Sequence, residues 1–254
     1  MTTPHRLAWR AATLRAASPE TATARTLAFE VPGWPGHRAG QHVVVRLTAE
    51  DGYSAQRSYS IASAPAAGDR LELTVQRLAD GEVSPYLTDI IEPGDQVEIR
   101  GPIGGWFVWD PDSTAPVQLI AGGSGIVPLM SMIRAADGAV PVRLLYSART
   151  PADVIYSTEL AQRAQAGSLA VTQLFTRVGD QPLDAPSAPP GAGLTRLRGR
   201  IRADVTAGAT WAPHDKPDIF ICGPSGFVEA AASLLIADGH APSAIKTERF
   251  GPTS

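Results

Sequence analysis

The sequence predicts two domains in series: an antiparallel β-barrel or sandwich, then an α/β domain built on a parallel sheet. Three observations predict this. From Leu7 to Phe107, short apolar stretches alternate with turn residues. From Val117 onward, strand-like and helix-like segments alternate. Between them lies Trp109-Asp110-Pro111-Asp112-Ser113-Thr114-Ala115-Pro116, a polar, proline-rich stretch of the kind that joins domains. We therefore divide the chain into 1–112 and 113–254. The 254 residues suffice for two cores.

Arg6 to Ala17 reads as a first strand. Leu27 to Val31, Val43 to Leu47, Leu71 to Arg77 and Gln96 to Arg100 read as further strands. Pro32-Gly33, Asp51-Gly52, Ala67-Gly68-Asp69 and Pro93-Gly94-Asp95 supply the turns between them. In the second half Val117 to Ala121 is a strand of buried type, followed by a glycine-rich turn and a helix from about Val127 to Asp137. Val142 to Tyr146 is the next strand. Thr150-Pro151-Ala152-Asp153 has the cap, proline and acid of a helix start, and that helix is predicted to run to about Gln165. Ala170 to Phe175 and Asp218 to Cys222 are strands, and a helix from about Ser225 ends before Gly239. Gln181 to Gly193, rich in proline and alanine, is predicted as an exposed loop. Strand–helix alternation of this kind gives a parallel sheet covered on both faces.

Composition narrows the function. Lysine plus arginine is 22 and aspartate plus glutamate 25, a net charge of −3, which argues against a nucleic-acid partner. A single cysteine, Cys222, excludes an internal disulfide and a cysteine-ligated iron–sulfur cluster within these residues. No run approaches the ~20 apolar residues that span a bilayer, and no signal-peptide core is visible. The expected compartment is the cytoplasm.

Five segments carry chemistry, and each has a plainer structural reading. In an extended Arg57-Ser58-Tyr59-Ser60, Arg57 and Tyr59 share one face, and Ser58 and Ser60 the other. A cation, a ring and a hydroxyl suit a ligand with a phosphate and a flat ring; equally, they suit a half-exposed strand. Ser84-Pro85 in Gly81-Glu82-Val83-Ser84-Pro85-Tyr86-Leu87 reads as a helix cap, with Arg77 upstream as a counter-charge for an anion; the cap alone would also explain it. Gly101-Pro102-Ile103-Gly104-Gly105-Trp106-Phe107 permits a close backbone approach, or simply a tight turn. Gly122-Gly123-Ser124-Gly125-Ile126-Val127-Pro128, between strand and helix, suits a pyrophosphate, although it does not follow G-x-G-x-x-G. Cys222-Gly223-Pro224 ends a strand at the sheet edge where ligands collect, and a lone cysteine is commonly just buried.

In this order, over about Gly40 to Phe250, the five segments resemble the ferredoxin–NADP reductase superfamily of flavoreductases. The resemblance implies a six-stranded FAD-binding barrel followed by a nucleotide-binding domain. Arg57, in the Arg57–Ser60 segment with Ser58, would contact the flavin-nucleotide phosphates. Tyr59 would stack on the isoalloxazine, and the Ser60 hydroxyl would lie near N5. Arg77 and the turn of Gly81, Val83 and Ser84 would hold the FAD pyrophosphate. Gly122, Gly123, Ser124, Gly125, Ile126 and Pro128 would lie under the nicotinamide nucleotide's pyrophosphate. Cys222, with Gly223 and Pro224, would sit by the nicotinamide C4. In Lys246-Thr247-Glu248-Arg249-Phe250, Glu248 and Phe250 could approach the flavin edge, or the segment could be a last strand. Ser60, Cys222 and Glu248 are the candidates nearest the reacting atoms. The sequence closes on Ser254 where plant-type members have a stacking tyrosine, so terminal aromatic shielding is not expected.

Residues that tell NADPH from NADH should follow the second and third strands of the nucleotide domain. Ser147-Ala148-Arg149 and Phe175-Thr176-Arg177 stand there. Charged hydrogen bonds contribute roughly 1.5–3 kcal/mol each, so the two arginines, Arg149 and Arg177, beside Ser147, would together prefer NADPH by about a hundredfold or more. With one cysteine, electrons must leave to a separate acceptor. A ferredoxin-like protein or oxygenase component is the first expectation, and a quinone, ferric chelate or free flavin the alternative. A non-catalytic flavin-binding regulatory module is the reading from another class.

Overall fold

The computed structural model describes residues 8–179 and 193–250. The chain divides into two compact units, Met1–Trp109 and Asp110–Ser254.

The first unit is a six-stranded antiparallel sheet of β1 (Trp9–Pro19), β2 (Ala24–Glu30), β3 (His42–Thr48), β4 (Ser54–Ser60), β5 (Arg70–Gln76) and β6 (Gln96–Ile103), in the order β4-β3-β6-β1-β2-β5. An antiparallel bridge between Ile61 and Leu73 joins the two ends, and the sheet closes as a barrel rather than a sandwich. Alternation decides which residues face inward: Leu27 and Phe29 of β2, Val43 and Val45 of β3, Leu71, Leu73 and Val75 of β5 and Val97 and Ile99 of β6 make one core. Gly101 sits where the β3–β6 register shifts. A Cβ there would lie 2.8 Å from Val43 Cγ1, so only glycine lets the strands close up. The helix α1 (Val83–Pro85) continues as a π-helical turn over Tyr86–Ile90, and Val83, Leu87 and Ile91 plug the barrel. The first strand begins at Trp9 and runs two residues past Ala17; the expected start at Arg6 lies outside the described residues.

The second unit is a six-stranded parallel sheet of β7 (Val117–Gly122), β8 (Val142–Ala148), β9 (Ala170–Phe175), β10 (Leu194–Arg198), β11 (Asp218–Pro224) and β12 (Ile245–Phe250), in the order β10-β9-β8-β7-β11-β12. All six residues of β7 are buried, as a central parallel strand requires. The helix α2 (Ile126–Ala136) packs on β7 and β11, and α3 (Ser157–Gln165) on β9 and β10. On the other side α4 (Ala203–Ala209) and α5 (Ser225–Ala237) bury Val205, Ala209, Val228, Ala231 and Leu235 against Ile120, Leu145, Ile219 and Ile221. The buried Gln118 accepts the Trp211 N–H at 3.0 Å, and Arg143 stacks on the Trp211 ring at 3.9 Å, anchoring the α4–β11 connection.

One expectation for this unit needs correction. The helix predicted from Pro151 is a 3-10 turn (Pro151–Asp153), and Tyr156 with φ +61° breaks the chain before α3 starts at Ser157. The strand β10 and the helix α4 were not foreseen. The predicted loop from Gln181 lies outside the described residues up to 192, as do residues 251–254 and with them Ser254. The segment from Lys246 to Phe250 is the last strand, β12.

Candidate functional site

In the barrel, β4 is an edge strand whose ladder pairs Ser60 with His42, Tyr59 with Val43, Ser58 with Val44 and Arg57 with Val45. Cross-strand partners share a face, so Arg57 and Tyr59 stand together, as the alternation predicted. Tyr59 leans on the barrel core, and burial pushes its phenol up, opposed by the nearby Arg57 guanidinium. Arg57 is exposed and donates to the neighbouring Gln56 carbonyl at 2.7 Å. Ser60 is buried and Ser58 exposed.

The loop after β5 differs from its sequence reading. Ser84 is not a helix cap: it lies inside α1, and its hydroxyl accepts the Leu78 N–H at 3.1 Å. That bond folds the loop so tightly that a Cβ on Gly81 would lie 2.8 Å from Ser84 Oγ. Val83 is buried, so its side chain belongs to the core and only its backbone faces the turn. Arg77 is not the open counter-charge expected upstream. Its Nε is 2.6 Å from Asp89 Oδ2, and Asp89 is held below the usual carboxylate range by the Thr88 hydroxyl first and then by Arg77. Tyr53, which the sequence reading passed over, donates its hydroxyl to Glu82 Oε1 at 2.9 Å beside this loop.

In the sheet, the order of strands reverses between β7 and β11, the switch point where open α/β sheets receive ligands. Gly122 ends β7, and Gly123 (φ +55°) opens the 3-10 turn Gly123–Gly125 that leads into α2. A Cβ on Gly123 would meet nothing within 4 Å, so the space beside the turn is open. A Cβ on Gly125 would lie 2.1 Å from the Cys222 carbonyl oxygen; the turn is pressed onto the end of β11. Ser124 is half-buried, whereas Ile126 and Pro128 are buried inside the first turn of α2, so they offer a ligand backbone rather than side chain. Gly223 and Pro224 complete β11 beside this turn.

Cys222 lies between Ala121 and Glu248 in register. Burial, then the neighbouring Glu248, pushes the Cys222 thiol well up, and burial pushes the Glu248 carboxyl up to about 7. A neutral thiol beside a half-protonated carboxyl can donate and accept hydrogen bonds without fixing a charge. Phe250, opposite Pro224, is exposed.

At the far strands of the same edge, the Arg177 N–H donates to the Arg149 carbonyl at 2.8 Å, which brings the two exposed arginines together. Ser147 is half-buried beside Gly122 in register. Asp153 is engaged with Thr150, its Oδ2 accepting the N–H at 3.0 Å and the hydroxyl at 2.7 Å. The Gly199 N–H to Phe175 carbonyl bond adds Arg200 to this neighbourhood, a residue the sequence reading missed because β10 was not foreseen.

Among the described residues, no cluster of histidine, cysteine and carboxylate side chains could hold a metal, and no helix is long and apolar enough to cross a membrane. The barrel's set of cation, ring and hydroxyl fits FAD, and the open glycine turn at the switch point fits a dinucleotide pyrophosphate.

Comparison with known proteins matches residues 12–108 to an oxidoreductase FAD-binding domain and residues 119–233 to an oxidoreductase NAD-binding domain. The chain is 34% identical over 222 residues to the ferredoxin–NADP reductase B of Sorangium cellulosum, covering 84% of each chain. It is 31% identical over 245 residues to the glycine betaine monooxygenase reductase subunit of Chromohalobacter salexigens, covering 92% of this chain and 62% of that protein. The chain thus spans about three fifths of the length of its oxygenase-reductase relatives. Its fold matches the flavohem-like FAD/NAD-binding domain of nitric oxide dioxygenase from Vibrio cholerae, with TM-score 0.82 over 96% of this chain and 99% of that one, at 24% identity.

Proposed function

The chain belongs to the ferredoxin–NADP reductase superfamily, and from that premise we propose that it transfers a hydride from NADPH to FAD and passes the electrons to a separate redox protein. One observation carries the reading: a single chain presents two independent nucleotide constellations, Arg57–Ser60 on a barrel strand and Gly122–Gly125 at the switch point of a parallel sheet. Bound FAD supplies the two-electron to one-electron conversion. Arg57 would neutralise its phosphates, Tyr59 would carry the flat ring, and Ser60 would hydrogen-bond the N5 edge. In the second unit the glycine turn would receive the nicotinamide nucleotide's pyrophosphate. Cys222, neutral at physiological pH, and Glu248, which shares its proton about equally there, would orient the nicotinamide through hydrogen bonds.

Arg149 and Arg177, joined through their backbones, with Arg200 nearby, support NADPH over NADH. The single cysteine leaves these 254 residues no cluster of their own, which supports a ferredoxin-like protein or oxygenase component as acceptor. The relatives named as reductase subunits of monooxygenases support the same partner. A lone, buried, reduced cysteine accords with a cytoplasmic setting.

The test is anaerobic. The protein should purify yellow with FAD, bleach faster with NADPH than with NADH, and reoxidise in stopped flow when a ferredoxin-like acceptor is added. A yellow protein that neither nucleotide bleaches would overturn the reading in favour of a flavin-binding module.

A further inference from the structure

One face of β4 carries more than the Arg57–Ser60 segment. Counting back in twos from Tyr59 gives Arg57, Ala55 and then Tyr53, which immediately precedes the strand. At about 3.3 Å per residue, Tyr53 stands ~20 Å from Tyr59 along the strand, with Arg57 between them. The row thus reads ring, cation, small residue, ring.

Tyr53 is built as a platform. It is 58% exposed, yet its polar groups are engaged. Its hydroxyl donates to Glu82 Oε1 at 2.9 Å, its N–H donates to Asp51 Oδ1 at 2.9 Å, and its carbonyl accepts the Ala49 N–H at 2.8 Å. The hairpin turn and Glu82 therefore fix the ring at both ends while more than half of the residue stays exposed. The Arg57 guanidinium lies close enough to oppose the upward shift of both the Tyr53 and the Tyr59 phenols, which agrees with a position between them. Holding an exposed tyrosine still costs little rotamer entropy, because it has two side-chain torsions, and a fixed ring is a ready stacking partner for a planar base.

We infer that Tyr53 is the stacking platform for the adenine of FAD, and that it selects FAD over FMN. The inference rests on FAD binding to the barrel. Tyr59 takes the flavin ring, Arg57 the pyrophosphate and Tyr53 the adenine, so the ligand lies lengthwise along β4. Ala55 is the small residue over which the ribose and phosphate linkage passes. FMN reaches Tyr59 but ends before Tyr53. Glu82 acts as a positioning residue, holding the ring without touching the ligand.

The experiment strips flavin from the protein and measures Kd for FAD and for FMN by fluorescence titration, in wild type and in Tyr53→Ala, Tyr53→Leu and Tyr53→Phe. Base–aromatic stacking predicts that Tyr53→Ala weakens FAD about tenfold or more and leaves FMN within twofold. Tyr53→Leu, which keeps apolar bulk without a ring, should lose nearly as much, and Tyr53→Phe should stay within about threefold of wild type. The unchanged FMN affinity also reports an intact barrel. Equal losses for FAD and FMN, or no loss for either, would overturn the assignment. A wild-type protein that binds neither flavin would overturn the FAD reading itself, and this inference with it.

Discussion

The two nucleotide constellations are made of different material. In the barrel the groups are side chains of an edge strand, and Arg57, with a single hydrogen bond to its neighbour's carbonyl, contributes little to the fold. In the parallel sheet they are backbone, brought close because glycines leave no Cβ in the way: Gly125 lies against the Cys222 carbonyl and Gly122 under the Phe227 ring. The difference separates two kinds of substitution. On β4 binding can be removed while stability is kept; at the switch point the two are lost together.

The largest expected effect is at Gly125. The Cβ of Gly125→Ala would lie 2.1 Å from Cys222 O and 2.4 Å from Cys222 C, both backbone atoms, so the turn or the strand end must move. Overpacking of about 3 kcal/mol, at 2–4 °C per kcal/mol, lowers Tm by roughly 6–12 °C. NADPH should no longer bleach the flavin, while FAD content stays unchanged. Normal melting with normal reduction would erase the contrast.

Glu248 sharpens it through pH. Its folded carboxyl titrates at about 7, raised from 4.5 by burial. Between those values the unfolded chain has lost the proton that the folded chain keeps, so stability falls as pH rises from 4.5 to 7, by up to about 3 kcal/mol. Glu248→Gln should flatten that slope in urea melts at pH 5 and pH 8. Equal slopes in both proteins would deny the buried carboxyl its role.

Arg57→Ala tests the barrel side. Losing charged hydrogen bonds to phosphate of roughly 1.5–3 kcal/mol weakens FAD about ten- to hundredfold. Because Arg57 is exposed, the Tm of the flavin-free protein should hold within about 1 °C. A fall in that Tm would show that the strand side chain is structural after all. The smallest effect is at Arg149→Ala, where kcat/KM should drop about tenfold for NADPH and hardly at all for NADH. Equal losses for both nucleotides would remove the phosphate from its assigned place.

What the sequence made readable follows the same division. The barrel strands carry alternating apolar residues between glycine and proline turns, and β7 is a fully buried run, so the barrel and the centre of the parallel sheet could be drawn in advance. The glycine turn was placed correctly because a strand before it and a helix after it leave few alternatives. Contacts made at a distance were not readable. Arg77 and Asp89 are twelve positions apart and meet only because the turn after α1 folds back over the end of β5. Ser84-Pro85 resembles a cap, but proline is tolerated throughout a first turn, and the helix starts earlier, at Val83. The strand β10 escaped notice because an edge strand of half-exposed leucines and arginines lacks the apolar run of its neighbours. Tyr53 was hidden by the turn signal of Asp51-Gly52.

One feature of the barrel reaches past binding. The strand β4 is stitched to β3 along its whole length, whereas the far wall meets the chain just beyond its end, where Ile61 bridges Leu73 and Ala62 and Ser63 bond to Glu72. The barrel therefore has a seam, and the amides that line it owe their protection from solvent exchange to whatever covers them. A cofactor laid along this strand would shield those amides, and deuterium uptake over 54–60 would register its arrival even for a ligand with no colour.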